Sequence, residues 1–176
     1  MKEKLDIVNM WIGNCDQKAS FLLALLGVAA TVVCTSDFFK RVKELLIEPF
    51  KAYWSANEGS IDWFNILLAV CLIIAFGAVL VSLIMLIFCL KANIDPNKFY
   101  KTGMVRKSFF FFKTISEMPY EDFKAGSNDA ENDLCTQVYT NATICTKKFK
   151  YYNNAVVCIL VAIPAFFLSA VLMLFA

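Results

Sequence analysis

From Trp63 to Leu90 the chain runs without a single Asp, Glu, Lys, Arg or Pro. Crossing a hydrocarbon core takes about 20 apolar residues, with a lower limit near 17. Two further runs meet that length, Ala19 to Ser36 and Ala155 to Ala176. Inside a bilayer the backbone has to satisfy its own hydrogen bonds, so these runs are expected as helices. Hydrophobic residues make up 59% of the 176 positions and charged residues 18%, outside the usual range for a soluble domain. The first run follows a lysine-bearing N-terminus, as a signal peptide would. Asp37, Phe38 and Phe39 nevertheless stand where small cleavage-site residues belong, so it is read as a retained span. The fold class is therefore an all-α membrane protein with three transmembrane helices.

Each run carries small residues at helical spacing: Ala24, Gly27 and Ala30; Ala75, Ala78 and Ser82; Ala162, Ala165 and Ser169. Small residues let backbones approach closely in lipid, where packing drives helices together, so the three spans are expected to form one bundle. Pro164 removes a backbone donor inside the third span, which leaves a static kink and a moving hinge as its two readings.

Lys and Arg outside the spans set the orientation. Lys2, Lys4 and Lys18 precede the first span, Lys40, Arg41, Lys43 and Lys51 follow it, and ten more lie between Lys91 and Lys150. Positive charge is retained on the cytoplasmic side, which puts the N-terminus and the second connection there and the first connection and C-terminus outside. The expected organisation is a cytoplasmic stem at 1–18, spans at 19–36, 63–90 and 155–176, an outer connection at 37–62, and a cytoplasmic sensor-like module at 91–154. In the outer connection Phe38, Val42, Leu45, Leu46 and Phe50 share one face and Lys40, Arg41, Lys43, Glu44, Glu48 and Lys51 largely the other. This is the pattern of an amphipathic helix lying in the membrane surface, with Pro49 as its end or a bend and Tyr53 and Trp54 as headgroup anchors.

The module is patterned as well. Asn128 with Glu131 resembles a capping box, and no Pro or Gly follows until Pro164, so one long helix is expected to run into the third span. Leu134, Val138, Ala142, Cys145, Phe149 and Tyr152 fall on one face of it. Leu5, Val8, Trp11, Ile12 and Cys15 form a matching face before the first span, so helical stems are expected to project from the bilayer and pack together. A short helix near Tyr120 to Lys124 completes the module.

The chain has no His, which removes the commonest general base and the commonest zinc ligand. There is no P-loop, G-x-G-x-x-G or nucleophile elbow, and the seven Cys form no C-x-x-C pair. The Cys are read as small hydrophobes, the acidic residues between Glu117 and Asp133 as a solvated face, and the sequon Asn141-Ala142-Thr143 as a chance match. A net charge of +2 does not suggest nucleic acid as a partner. No metal, no cofactor and no enzymatic activity are expected.

The stretch Asp16-Gln17-Lys18-Ala19-Ser20-Phe21-Leu22-Leu23 places a charged pair where a helix enters the membrane. It resembles the D-x-K-A-S-x-L-L start of the first span in the Pycsar transmembrane effectors. The run Phe110 to Ile115 followed by Tyr120 is similar to that family's aromatic strand-like element and short helix. Asp133-Leu134, Gln137-Val138-Tyr139, Ile144 and Lys148-Phe149 resemble its last helix, with departures at Ala142, where a small hydroxyl residue is usual, and Phe149, where Tyr is usual.

The resemblance implies an effector of bacterial antiphage defence in the inner membrane. A partner cyclase would supply cyclic UMP or cyclic CMP, and the effector would impair the membrane so that the infected cell dies. A homo-oligomer is the expected assembly. A cyclic phosphate invites Lys, Arg or a helix N-terminus, and a pyrimidine invites an aromatic platform with hydrogen bonds to its edge. Candidate phosphate ligands are Lys18, Arg106, Lys107 and Lys148, with Asp16 beside Lys18, and candidate base ligands are Tyr139 and Asn132. For Lys18 and Lys148 the alternative is an interfacial anchor. Two other function classes stand beside this one: a ligand-independent, holin-like pore former, and a structural subunit of a membrane complex. The orientation is testable directly. In a cysteine-free background, Ser127→Cys is expected to resist an impermeant thiol reagent in intact cells and Ser60→Cys to react; the reverse pattern inverts the topology.

Overall fold

A computed structural model describes residues 1–56, 63–91, 102–105, 108–126 and 129–175. The described residues are helical wherever they are regular. They comprise α1 (Lys2–Thr35), α2 (Phe38–Val42), a π-helical turn (Lys43–Ile47), α3 (Glu48–Ala56), α4 (Trp63–Leu90), α5 (Phe112–Glu117), α6 (Tyr120–Ala125) and α7 (Ala130–Phe175). Three of them, α1, α4 and α7, are long and apolar enough to cross a membrane. The molecule is an all-α membrane protein.

α7 runs unbroken through Pro164 for 46 residues. The expected cap Asn128 lies outside the described residues, and it is Asp129 that accepts the Asn132 N–H at its Oδ1, 3.3 Å away. The short helix near Tyr120 is present as α6. Pro119 forces Met118 into extended backbone (φ −87°, ψ 139°), which ends α5 and starts α6. Gly126, at φ +80°, closes α6 in a conformation that favours glycine. The strand-like element suggested by resemblance at Phe110 to Ile115 is not formed: Phe111 is extended, but Phe112 already begins α5. With no strand among the described residues to pair with, the backbone satisfies itself as a helical turn.

Contacts divide the chain into two compact units, Met1–Ala19 with Phe88–Tyr151, and Ser20–Ile87 with Tyr152–Ala176. The second unit holds the apolar spans. Ala75, Ser82, Ala162 and Ser169 are buried, so the small residues of α4 and α7 do serve close packing. Those of α1 do not: Ala24, Gly27 and Ala30 are exposed, and a Cβ on Gly27 would meet nothing within 4 Å. The hydroxyls of Thr31 and Ser169 return to backbone carbonyls of their own helices at 2.9 and 2.8 Å, as lipid surroundings require.

The apolar face of the connection after α1 packs on the protein itself: Leu46 joins Leu68, Leu72 and Met173 in a buried cluster against which Phe38, Val42 and Leu45 pack. Phe38 stacks on Phe166 at 5.4 Å, and Phe76 meets the same ring edge-on at 5.7 Å. Pro49 neither ends the helix nor stops it. The wide π turn just before it accommodates the missing donor, and the chain continues as α3. Arg41 Nη1 donates to the Met173 carbonyl at 3.5 Å, supplying a cation to the end of α7, whose last turn has no basic residue. Leu72→Ala is expected to lower the stability of detergent-purified protein by about 2–5 kcal/mol. Phe175→Ala, at a fully peripheral ring, is expected to change it by no more than about 0.5 kcal/mol. Thermal unfolding of the two variants reads the difference.

Candidate functional site

In the first unit, α1, the end of α4 and α7 converge on one ammonium group. The Lys148 side chain is 7% exposed and its Nζ donates to Asp16 Oδ1 at 2.5 Å. The same Nζ donates to the Cys89 carbonyl at 2.8 Å. Cys89 lies in the last turn of α4, where carbonyls lack intrahelical partners and the helix dipole is negative. α4 has no basic residue of its own there, so α7 provides it. A buried ammonium costs several kcal/mol in desolvation unless paired and hydrogen-bonded, and here the carboxylate and the carbonyl supply both conditions.

Near this charge the Cys15 and Cys89 sulfurs lie 3.7 Å apart as free thiols. Burial, followed by the contact with Cys89, pushes the Cys15 thiol up to about 12, so it carries no thiolate at neutral pH and acts as packing. Burial likewise pushes the Cys145 thiol up.

A second polar contact fixes the register of the stems. Asn141 Nδ2 donates to Asn9 Oδ1 at 2.9 Å, so the side chain of the apparent sequon is engaged within the protein. Asn9 and Asp16 are one heptad apart on α1, as Asn141 and Lys148 are on α7. Equal steps in the same direction mean that the two stems run parallel in coiled-coil fashion. Beside these contacts Trp11 meets Phe149 edge-on at 6.2 Å, a contact that suits the ring without a hydroxyl at this position.

Of the expected site residues, the structure brings Asp16 and Lys148 together. Asp16 and Lys18, neighbours in sequence, part company in the structure. Two residues along a helix point about 200° apart, so Lys18 is exposed on another side of α1. Asn132 is exposed, and Tyr139 is 42% exposed. Arg106 and Lys107 lie outside the described residues.

Sequence reasoning missed the face of α7 that is most deeply covered. Leu134, Val138, Ala142, Cys145, Phe149 and Tyr152 are half-buried. Asp133, Thr136, Gln137 and Thr140 are buried instead, with Ser108 beside them in the preceding segment and Lys148 further along the helix. That segment is tied to α7 by its backbone: the Val105 N–H donates to Thr136 Oγ1 at 3.2 Å and the Phe109 N–H to Asp133 Oδ2 at 2.7 Å. The other oxygen, Asp133 Oδ1, is buried without a hydrogen-bond partner among the described residues. Leaving such an acceptor unsatisfied costs about 1–3 kcal/mol, and more if it is charged. The polar stripe has the same helical spacing as the apolar one, which is the signal the sequence carried for it.

Lys148→Met is expected to destabilise the protein by about 3 kcal/mol, the lower end of the range for breaking a buried pair because Asp16 retains some solvent. Lys18→Ala is expected to stay within about 0.5 kcal/mol. Denaturation of both, with an Asp16→Asn, Lys148→Met double variant to read the coupling, checks the assignment; equal effects of Lys18→Ala and Lys148→Met contradict it.

A family model described as the Pycsar effector protein domain matches residues 1–176. The Pycsar effector protein GmPycTM of Gulbenkiania mobilis is 32% identical over 165 residues, covering 88% of this chain and 81% of that protein. No solved structure matches. With the whole chain matched, and with the helical order described above, the chain belongs to the Pycsar effector family.

Proposed function

We propose that this protein is the membrane effector of a Pycsar-like antiphage system, set off by cyclic UMP or cyclic CMP from a partner cyclase. In this reading it lies in the bacterial inner membrane with its N-terminus in the cytoplasm, assembles as a homo-oligomer and performs no chemistry of its own. Nucleotide binding in the unit formed by Met1–Ala19 and Phe88–Tyr151 impairs the membrane, and the infected cell dies before phage is released.

The observation that carries the reading is helix continuity. α1 (Lys2–Thr35) and α7 (Ala130–Phe175) each contribute their first part to the polar unit and the remainder to the apolar unit. A helix is stiff along its axis, so a change in how the stems pack is passed on as rotation or tilt of the same rods. The ligand supplies the driving force only through its differential affinity for the two packings; reversing a 1:99 population takes about 5.5 kcal/mol.

The experiment pairs the protein with a matched cyclase in bacteria and follows a membrane-potential dye. Cyclase induction is expected to depolarise the inner membrane. Tyr152→Pro breaks α7 where one unit gives way to the other, at about 3 kcal/mol in a helix interior, and is expected to leave cells polarised while nucleotide binding persists. Depolarisation by the parent without any cyclase would instead identify a constitutive pore former.

A further inference from the structure

The stems contain a polar face that the proposed transmission route does not use. Asp133, Thr136, Gln137 and Thr140 are covered on α7, and Ser108 is covered beside them. Apolar side chains are the ordinary content of such a face, and a covered polar row needs partners for every atom. Asp133 has a partner for one oxygen only, the Phe109 N–H on Oδ2. Oδ1 has none among the described residues. An ionised carboxylate offers acceptors and no donors, so the missing partner is an N–H or O–H.

Resting on the functional reading above, we propose that this face reads the pyrimidine base, with Asp133 Oδ1 accepting a hydrogen bond from its Watson–Crick edge, and that it selects cytosine over uracil. Cytosine presents an exocyclic amino group, the donor for which a carboxylate is the natural acceptor. Uracil presents its N3–H between two carbonyl oxygens, both of which would face the negative carboxylate. The site thus takes cyclic CMP in preference to cyclic UMP. It is distinct from Asn132 and Tyr139, which lie roughly 100° around α7 from this face. Gln137 and the hydroxyls of Thr136 and Thr140 continue the same row along the helix and supply further hydrogen-bonding groups.

The test is calorimetric titration of the full-length, detergent-purified protein with each nucleotide, for the parent and for Asp133→Asn. Asparagine keeps the volume, and with its oxygen held by the Phe109 N–H it turns an amide N–H toward the base, a donor that suits the O4 of uracil and opposes the amino group of cytosine. The parent is expected to bind cyclic CMP at least tenfold more tightly than cyclic UMP, a difference of about 1.4 kcal/mol. Asp133→Asn is expected to lose at least tenfold for cyclic CMP and to bring the ratio to one or below. A purely structural role for Asp133 would weaken both nucleotides equally and leave the ratio unchanged. Thr140→Val, which exchanges a hydroxyl for a methyl on the same face, is expected to weaken cyclic CMP at least threefold with helicity retained, and it decides the matter if Asp133→Asn does not fold. A parent that prefers cyclic UMP, an unchanged ratio in Asp133→Asn, or unchanged binding in Thr140→Val overturns this assignment alone. A parent that binds neither nucleotide overturns the functional reading on which it rests.

Discussion

One ammonium group organises the polar unit. Lys148 sits where three helices meet, answering the carboxylate of Asp16 on α1 and a carbonyl in the last turn of α4. Each partner needs it for a different reason. The carboxylate is a charge entering a region poor in water, and the α4 carbonyl belongs to a helix end with no cation of its own. Arg41 does the corresponding work for α7 by reaching the Met173 carbonyl. The C-terminal ends of α4 and α7 are therefore satisfied by basic side chains from other elements, a solution that leaves their apolar lengths free of charge.

The polar face of α7 follows a different logic. A unit with few apolar residues at its centre gains little from burial, so its covered groups have to be held by hydrogen bonds with complete pairing. The segment around Val105 and Phe109 provides two such bonds through backbone donors. Asp133 is left half-paired. An incompletely paired covered carboxylate is poor architecture and good recognition chemistry, because the penalty already incurred is relieved by whatever donor arrives.

Features that depend on local chemistry were legible in the sequence. The three apolar runs, the unbroken reach of α7 and the short helix at Tyr120 all follow from length, periodicity and Pro placement. Features that depend on choosing among equivalent partners were not. Asp16 has a lysine two positions away and another 132 residues away, and only three-dimensional packing makes the distant one the neighbour. The face containing Phe38, Val42 and Leu46 is apolar whether it meets lipid or protein, so amphipathicity alone could not show that it packs on Leu68, Leu72 and Met173. On α7 two stripes of the same period lie side by side, and burial went to the polar one because the preceding segment docks there through Thr136 and Asp133.

The matched heptad spacing of Asn9 with Asn141 and Asp16 with Lys148 limits how the stems can move. Two teeth set at equal pitch on two parallel racks disengage together. Sliding α7 along α1 displaces both contacts in the same direction, so the two favour one and the same axial register. The pair thus behaves as a latch with one seated position.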